Sequence, residues 1–407
     1  MGNLIMKQIT TVKFRNDIHN HQSRWCASML HDFMATNAQK VFPRAEGRII
    51  RAMKLGMSVA LMMGVTAGSV SAQGTWSETA PLPGSPYATM VVGLPNGNGL
   101  LSGGYFGGLG QVTNWATLYN PATNTWTTTT AMKYRRHSHA GILLADGTAL
   151  VVGGGVWDGV RYTFAPKAET YKPAAKTWTA TGAMVTPRFG HTATLLADGR
   201  VLVTGGAKLY FPTYHMTTYT ASAEIYDPKT RTWASTGSMS GARIGHSATL
   251  MSGGKVLVTG GWATNYNTSS TEIFDPITGK WTPGPSMQSV TGSNSAGMLN
   301  DGRVLVVGYN GYAPADELYD PLTGQWSAAA NPPSTGSLAR LPAGNFMLVT
   351  QNPLPCQIYD VSTDTWVPTG ALNFGRAYGS LATLSTGQVL LAGGMPTGTY
   401  GGEIYNP

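Results

Sequence analysis

The chain has 407 residues, 42% of them hydrophobic, a proportion that argues against an intrinsically disordered protein. With 52 glycines, 24 prolines and only 11% charged residues, its composition is typical of a turn-rich all-β protein and not of a helical enzyme. Residues 1–54 hold nine basic and three acidic side chains and account for most of the net charge of +8, whereas residues 73–407 hold 18 and 16, which disfavours nucleic-acid binding.

Two segments precede the body of the chain. Residues 1–52 show no sustained periodicity, so we interpret them as an unstructured leader or as an extension upstream of a true start at Met53. Residues 53–72 have a basic start, an uncharged apolar run and small residues up to Ala72, a pattern typical of a secretory signal peptide. A membrane anchor is the alternative, but an uncharged run this short and rich in Gly and Ser is marginal for spanning a bilayer. We therefore expect a secreted or periplasmic protein, cleaved near Ala72 and without a stable membrane span afterwards.

Cysteine usage is sparse. Cys26 lies in the leader and Cys356 is the single cysteine of the body, so the sequence predicts no internal disulfide after cleavage. The fold must then be stabilised by its own core.

The body, residues 73–407, repeats one spacing of aromatic residues. A Tyr or Phe is followed seven residues later by a Trp, with turn formers such as Asp-Pro between the two, as in "YDPKTRTW" and "FDPITGKW". The pairs are Tyr119 and Trp126, Tyr171 and Trp178, Tyr226 and Trp233, Phe274 and Trp281, Tyr319 and Trp326, and Tyr359 and Trp366. Each pair predicts two antiparallel strands, and we expect the tryptophans to be core residues.

Two further short apolar runs precede each aromatic pair. They are joined by a dipeptide hairpin signal, as in "TATLLADGRVLVTGG", and the second run usually ends in Gly-Gly. Each unit is therefore predicted to be a sheet of four antiparallel strands, and a radial stack of such sheets buries both faces. Counting the units gives a seven-bladed β-propeller.

The last unit lacks its tryptophan. Tyr405 in "GEIYNP" has no Trp seven residues on, but Trp76 in "QGTWSETA" begins the body of the chain. We expect the N-terminal strand around Trp76 to complete the last blade and close the ring.

The string "GHTATLLADGRVLVTGG…AEIYDPKTRTW" resembles the kelch repeat, over about residues 74–407. Units five and six depart from the pattern, because Gly308-Tyr309 replaces Gly-Gly in one and "LVTQN" lacks both glycines in the other. The resemblance implies a kelch β-propeller. Kelch families include substrate adaptors, the galactose-oxidase propeller and the sialic acid mutarotases, so the fold alone does not fix the function.

A binding site is expected on the face of the propeller that carries the variable loops, since the Asp-Gly hairpins and Asp-Pro turns share the other face. The loops after the Gly-Gly strands are long in units one to four. In units two to four they hold the candidate ligand-binding residues Trp157, Arg161, Tyr162, Tyr210, Tyr214, His215, Trp262 and Tyr266. Aromatic rims of this kind suit sugar faces or peptide anchors. The alternative is that these side chains only pack against each other.

Arginine and histidine recur three residues apart at the start of the inner strands. The arginines are Arg136, Arg188, Arg243 and Arg376, and the histidines are His139, His191 and His246. Guanidinium groups that converge at the channel mouth without equal acidic partners favour an anionic ligand. In kelch adaptors, arginines at this position contact acidic peptides, which the resemblance extends to this chain. The alternative is a scaffold role with bonds to loop carbonyls, and the repeated Glu of "AEIYD" is expected to be structural.

Two functions from different classes remain open at this point. The first is a binding module whose partner is a glycan, an anionic sugar or an acidic peptide. The second is a carbohydrate-active enzyme, such as a sialic-acid-mutarotase-like epimerase with His139, His191 or His246 moving protons, or a galactose-oxidase-like protein. The resemblance weakens both enzymes: the mutarotases have six blades, and the oxidase needs a copper ligand from a domain after its propeller. No cofactor is expected, and no His, Cys or Asp cluster has the spacing of a metal site.

Overall fold

The structure, a computed structural model, describes residues 74–84, 86–106, 111–157, 162–211, 216–263, 266–289, 291–292, 294–310, 313–350, 354–376, 379–394 and 401–407. At several strand positions, among them Trp157, Tyr162, Tyr210 and Tyr266, only the backbone is described. Within these ranges no helix has the length and apolar character needed to cross a membrane. The expected leader and signal peptide, residues 1–72, lie outside the described residues and stay predictions.

The regular structure of the described residues consists of 37 β-strands. The first fourteen are β1 (Thr75–Pro81), β2 (Pro86–Tyr87), β3 (Met90–Gly93), β4 (Gly99–Ser102), β5 (Tyr105–Phe106), β6 (Gln111–Val112), β7 (Ala116–Asn120), β8 (Thr125–Thr128), β9 (Ala140–Leu143), β10 (Ala149–Val152), β11 (Gly155–Trp157), β12 (Tyr162–Phe164), β13 (Glu169–Lys172) and β14 (Thr177–Ala180). The next twelve are β15 (Thr192–Leu195), β16 (Val201–Thr204), β17 (Ala207–Phe211), β18 (Met216–Tyr219), β19 (Ala223–Asp227), β20 (Thr232–Ser235), β21 (Ser247–Leu250), β22 (Val256–Thr259), β23 (Trp262–Ala263), β24 (Tyr266–Asn267), β25 (Thr271–Asp275) and β26 (Lys280–Pro283). The remainder are β27 (Asn294–Met298), β28 (Val304–Gly308), β29 (Glu317–Asp320), β30 (Gln325–Ala328), β31 (Gly336–Arg340), β32 (Phe346–Thr350), β33 (Pro355–Asp360), β34 (Thr365–Ala371), β35 (Ser380–Thr383), β36 (Val389–Ala392) and β37 (Gly401–Asn406).

Most of these strands form four-stranded antiparallel sheets, of which the described residues contain seven. From the inner to the outer strand, blade one is β3-β4-β7-β8, blade two β9-β10-β13-β14, blade three β15-β16-β19-β20 and blade four β21-β22-β25-β26. Blades five, six and seven are β27-β28-β29-β30, β31-β32-β33-β34 and β35-β36-β37-β1. The predicted all-β propeller with four antiparallel strands in each blade is confirmed, and units five and six form such sheets despite their altered glycines.

The hydrophobic core lies between blades and not within them. Each of seven clusters of buried side chains draws residues from two neighbouring blades, including one cluster that joins blade seven to blade one through Leu390 and Leu101. The innermost strands also contact one another in cyclic order, and β3 lies against both β9 and β35. A single blade therefore cannot bury its faces without its neighbours.

The ring closes as the sequence predicts. Strand β1 pairs antiparallel with β37, and Trp76 lies directly opposite Tyr405 with ring centroids 5.4 Å apart. Trp76 is 7% exposed and packs in the cluster shared by blades six and seven. The predicted partnership of these two side chains is confirmed.

The aromatic pairs hold the outer strands, but their two members are buried to different extents. The Tyr or Phe is almost completely buried in every blade, whereas the tryptophans other than Trp76 are half-buried. Several indole N–H groups reach the preceding blade, as when Trp281 donates to the carbonyl of Gly237 at 2.7 Å. The tryptophans thus seal the outer edge of each interface, and the expectation that they are interior residues holds in full only for Trp76.

Candidate functional site

Four blades carry a buried arginine–glutamate pair where the chain enters the inner strand. The distances between a guanidinium nitrogen and a carboxylate oxygen are 2.8 Å for Arg136–Glu169, 2.8 Å for Arg188–Glu224, 3.0 Å for Arg243–Glu272 and 3.2 Å for Arg376–Glu403. None of these side chains is more than 3% exposed. Because the glutamate lies in the third strand of the same blade, each pair fixes the start of the inner strand to its own sheet.

The remaining donors of these arginines are also used inside the protein. Nη1 of Arg188 donates to the carbonyls of Gly205 at 2.9 Å and Ser222 at 2.7 Å, and Nη2 donates to the Ser222 hydroxyl at 2.8 Å. Burial lowers the pKa of Arg188, and the charge of Glu224 opposes that shift. The guanidinium is charged and bonded without any ligand.

The glutamates are bonded on their other side. The carboxylate of Glu224 accepts the backbone N–H groups of Val185 at 2.6 Å and Thr186 at 2.9 Å. Equivalent pairs of N–H bonds reach Glu169, Glu272 and Glu403. A carboxylate with several donors and a cation is a stable buried group, so the expected structural role of these glutamates agrees with the geometry.

The expectation that Arg136, Arg188, Arg243 and Arg376 converge without equal acidic partners is therefore wrong. Each has its own glutamate, and each donates to a carbonyl of its own blade. Sequence alone does not show these pairs, since the two partners are separated by 27 to 36 residues at intervals that differ from blade to blade. The scaffold alternative describes these side chains better than an anion site does.

The histidines bridge neighbouring blades. Nε2 of His246 lies 3.0 Å from the Thr204 hydroxyl, and Nε2 of His139 lies 3.2 Å from the Ser102 hydroxyl, in each case on the preceding blade. Burial, reinforced by nearby guanidinium charges, lowers the pKa of His191 and of His246 to about 3 and holds that of His139 well below its usual range. All three imidazoles are neutral near pH 7, and their burial argues against the proton transfer that the enzyme hypothesis assigned to them.

The Gly-Gly pairs complete this joint between blades. Gly205 has φ of 61°, and a Cβ there would lie 2.6 Å from Cε1 of His246 and 2.7 Å from the carbonyl oxygen of Arg243. The N–H of Gly206 donates to that carbonyl at 2.8 Å. The same bond to the next blade is made by Gly104, Gly154, Gly261 and Gly394. Arginine, histidine and double glycine together form one repeated device that joins a blade to its neighbour.

The loops after the Gly-Gly strands of blades one to four build a surface of their own. They form small antiparallel sheets, which are β11-β12 in blade two, β17-β18 in blade three and β23-β24 in blade four. In blade one the loop strands β5 and β6 are joined by β2, from the segment before the inner strand. Backbone bridges such as Phe189–Ala207 and Ile244–Trp262 attach the hairpins to the segments that follow the buried arginines. No such hairpin forms among the described residues of blades five to seven. We call the surface formed by β2, β5, β6, β11, β12, β17, β18, β23 and β24 the hairpin face.

A row of rings crosses the hairpin face from blade one to blade three. Tyr87 stacks on Tyr105 at 5.2 Å, Tyr105 contacts His137 at 4.3 Å, and His137 lies 6.1 Å from Phe189, which is 6.3 Å from Phe164. Except for the buried His137, these side chains are partly exposed. We call these five residues the aromatic row. None of the five was predicted as a site residue from the sequence, although Tyr87, His137 and Phe189 occupy equivalent positions, the last two directly after a buried arginine.

The row is held by polar contacts as well as by stacking. The hydroxyl of Tyr105 lies 2.9 Å from Nε2 of His137, and Nδ1 of that ring lies 3.1 Å from the Ser138 hydroxyl. Burial lowers the pKa of His137 to about 4, so its imidazole is neutral near pH 7. The neighbouring backbone is strained, because Ser138 has φ of 49° and Ala88 has φ of 53°, and such conformations cost on the order of 1–3 kcal/mol each. Ser138 nevertheless donates to the Ala88 carbonyl at 3.1 Å, which links blades one and two at this face.

The expected aromatic rim is only partly visible. Trp262 lies in β23 on the hairpin face and is 46% exposed. The backbones of Trp157, Tyr162, Tyr210 and Tyr266 lie in hairpin strands. Arg161, Tyr214 and His215 lie outside the described residues. Their part in ligand binding stays a prediction.

The opposite face carries the short turns, as expected. A cavity of about 510 Å³ there is lined by the Asp-Gly hairpins at Asp146 and Asp198 and by the Asp-Pro turn at Asp227. Arg200 lines it and pairs with Asp198 at 2.7 Å, with both side chains at least one-third exposed. Turns from neighbouring blades line this cleft. Among the described residues, no group of three or more His, Cys, Asp and Glu side chains could hold a metal ion on either face.

Comparison with known proteins agrees with this architecture. The chain is 30% identical to the kelch-like protein terF of Aspergillus terreus over 138 residues, which are 34% of this chain and 28% of that protein. The chain therefore spans less than a third of the curated relative that it matches.

Two solved structures share the fold at low identity. A fungal alcohol oxidase of the AA5 family, solved with copper, is 18% identical with a TM-score of 0.63 over 82% of this chain and 76% of the oxidase. YjhT is 15% identical with a TM-score of 0.50 over 80% of this chain and 96% of YjhT. At these identities the likeness concerns the fold alone.

A family model supports the same conclusion at the level of sequence. The model of the Attractin/LZTR1 β-propeller matches residues 75–316, more than half of the chain. That span includes the four hairpin-bearing blades and the first two strands of blade five. The chain belongs to the Attractin/LZTR1 β-propeller family and is a kelch-type β-propeller of the kind that serves as an interaction module.

Proposed function

We propose that the protein is a binding module that recognises a glycan through its hairpin face. The observation that carries this proposal is the aromatic row, which places four partly exposed rings around the buried His137 across three blades. Trp262 adds a 46% exposed indole on blade four. Flat rings fixed in a rigid surface stack on sugar faces at little cost in conformational entropy.

The charge of the described surface favours a neutral glycan over an anionic sugar or an acidic peptide. The four arginines that would have held a carboxylate are neutralised by glutamates inside the blades. The anionic part of the initial hypothesis therefore depends on cations of the loops, such as Lys208. A peptide with apolar or aromatic anchors is the other partner that such a surface suits.

A carbohydrate-active enzyme is the weaker proposal. The buried, neutral histidines leave the mutarotase-like mechanism without an accessible acid or base at the positions assigned to it. The AA5 oxidase supports the fold and not the activity, since its identity to this chain is only 18%. Export with cleavage near Ala72 remains part of the proposed function and rests on the residue pattern alone.

The test is a glycan array with neutral and anionic glycans, followed by titration of any ligand that binds. We expect a neutral glycan to bind, and we expect Trp262→Ala to weaken that binding about tenfold, or 1.4 kcal/mol, because a stacking surface is lost. Tyr105→Ala is expected to act in the same direction. The control is Leu322→Ala, which removes a 94% exposed side chain from an Asp-Pro turn on the opposite face.

Equal binding by all four proteins would contradict a hairpin-face site. Binding confined to sulfated or uronic-acid glycans would contradict the proposal of a neutral glycan. The loop cations would then be the expected ligand-binding groups. If peptides bind and glycans do not, the module remains but its partner is a protein.

A further inference from the structure

A second cavity lies on the same side of the propeller as the hairpin face but between blades five and six. Its volume is about 260 Å³. Its lining includes Asn294, Tyr309, Asp316, Pro332, Ser334 and Gly336. It contains none of the residues of the proposed glycan site.

Among the described residues, neither of the two blades beside this cavity carries the buried arginine–glutamate pair. Thr291 of blade five and Pro333 of blade six stand where four other blades carry the buried arginine. Gly336 stands where three blades carry the histidine, and Gln357 stands where five blades carry the glutamate. Blade five ends its second strand in Gly308-Tyr309, and the N–H of Gly308 donates to Oδ1 of Asp316 at 3.3 Å. Neither blade therefore supplies a guanidinium group to the described lining of the cavity.

Asp316 occupies a position that is small or apolar in most other blades. Ala168, Ala223 and Cys356 precede the buried Glu or Gln of their blades, and each packs against a neighbouring blade. In blade five this position holds a carboxylate that is 3% exposed, and its Oδ2 atom has no hydrogen-bond partner among the described residues. A buried carboxylate oxygen without a donor is costly, and its place at a cavity wall indicates a ligand.

Two further buried oxygen atoms beside the cavity also lack a hydrogen-bond partner within the described part of the chain. The side-chain amide of Asn294 donates to the Thr259 carbonyl at 3.1 Å and to the Thr291 hydroxyl at 3.0 Å, which leaves its buried Oδ1 without a partner in the described structure. The Ser334 hydroxyl oxygen is likewise buried and unbonded there. Together with Asp316, these side chains demand a ligand that donates hydrogen bonds.

The charge of the cavity lining further restricts the chemical class of the ligand. Asp316 is the one charged side chain among the described residues that line the cavity, and no Lys, Arg or His lines it. Burial raises the pKa of Asp316 to about 7, while the N–H of Gly308 and the Trp366 indole oppose the shift. A cation placed beside the carboxylate would supply the missing charge, and the 46% exposed ring of Tyr309 offers a face for it.

We propose that this cavity binds a small organic cation through a primary ammonium group, which would donate to Asp316, Asn294 and Ser334. The site goes beyond the proposed glycan-binding function, because it uses different blades and different chemistry. An anion is disfavoured by the lone carboxylate. A neutral polyol and a metal ion are the other donors or cations that the cavity chemistry admits, and both are outcomes of the test.

The experiment compares matched amines and alcohols on the full chain by ligand-observed NMR titration at pH 8. The pairs are 3-amino-1-propanol with 1,3-propanediol and cyclohexylamine with cyclohexanol. We expect at least one amine to bind tenfold or more tightly than its alcohol. Asp316→Asn, which keeps the shape and removes the charge, is expected to weaken the amine at least tenfold. Asp146→Asn, an exposed aspartate on the opposite face, serves as the control and is expected to change nothing.

The dependence on pH gives a second readout. Besides Asp316, the segments around the cavity contribute Tyr309 as a titratable lining group, and the adjacent Glu317 is bonded to the N–H groups of Gln288 and Ser289. Aliphatic amines stay protonated across this range, so amine affinity should rise as the pH is raised through about 7 and Asp316 ionises. Ser334→Ala is expected to weaken the amine about threefold and keeps the test valid if Asp316→Asn folds poorly.

Stability separates a ligand site from a structural carboxylate. The pKa of Asp316 is higher in the folded than in the unfolded chain, so its contribution to stability falls as the pH rises from about 4 to about 7. Asp316→Asn should therefore melt no lower than the native chain at pH 8. A lower melting temperature at pH 8 would contradict the proposal. So would equal binding of alcohols, binding of Mg²⁺ or Ca²⁺ alone, or no binding of any probe.

Discussion

The solvent exposure of an ion pair determines how much the loss of one partner destabilises this protein. Arg188–Glu224 and Arg200–Asp198 have similar lengths, 2.8 and 2.7 Å, but the first pair is at most 1% exposed and the second is 34% and 47% exposed. In the buried pair, loss of one partner leaves a charge without compensation, which costs ~3–5 kcal/mol. In the exposed pair, water replaces the partner, and the loss is at most ~1 kcal/mol.

We therefore expect Arg188→Met to lower the free energy of unfolding by ~3–5 kcal/mol. Arg200→Met, the matched control, is expected to lower it by no more than ~1 kcal/mol. Urea denaturation followed by tryptophan fluorescence measures both. Similar losses in the two variants would contradict the scaffold role of the buried pair. An Arg188→Met/Glu224→Leu double variant more stable than Arg188→Met would support it, because the unpaired carboxylate is removed as well.

At the level of strands and turns, the glycines have two different structural roles. In the Asp-Gly hairpin, Gly199 has φ of 86° and a Cβ there would meet nothing within 4 Å. At the end of β16, Gly205 also has positive φ, but a Cβ there would meet the next blade's His246 and the carbonyl of Arg243. The hairpin glycine serves backbone conformation alone, whereas the strand-end glycine also allows two blades to approach.

Alanine at the two positions should reveal this difference. Gly199→Ala is expected to cost about 1–2 kcal/mol, the price of a left-handed conformation for an L-residue. Gly205→Ala is expected to cost a further ~1–3 kcal/mol because the added methyl group overpacks the joint. Thermal unfolding of both variants gives the comparison. Equal destabilisation would mean that the blades do not press on Gly205.

For the molecule as a whole, the fold was more predictable than the site, and the reason is physical. Strand pairing within a blade depends on local spacing, so the seven-residue interval between Tyr226 and Trp233 already states which residues lie opposite each other. The partner of Arg188 depends instead on which strand the topology brings beside it, and Glu224 lies 36 residues away. Asp316 departs from a small or apolar position of the repeat, but we did not predict a site there from the sequence. Its meaning required knowing that a cavity lies beside it.

The N-terminal strand β1 closes the ring, so loss of its buried tryptophan should weaken the last blade. Trp76→Ala is expected to lower the free energy of unfolding by ~3–5 kcal/mol, as for other buried tryptophans, and to speed amide exchange in both β1 and β37. Trp281→Ala is the control, because it removes the equivalent side chain from a blade whose strands are contiguous in sequence. Its effect on exchange should stay within blade four and its neighbours. Unchanged exchange in β37 of Trp76→Ala would contradict the closing role of β1.

The junction of β1 with β37 also has a consequence for synthesis. Thr79 accepts a hydrogen bond from the N–H of Gly402 across 323 residues, so a chain emerging from the ribosome carries β1 without its partner until β37 has been synthesised. Any product that stops before β37 presents two unpaired edges, one on β1 and one on β36, and unpaired edges favour aggregation. We therefore expect chaperones and proteases to act on incomplete chains of this protein more than on complete ones.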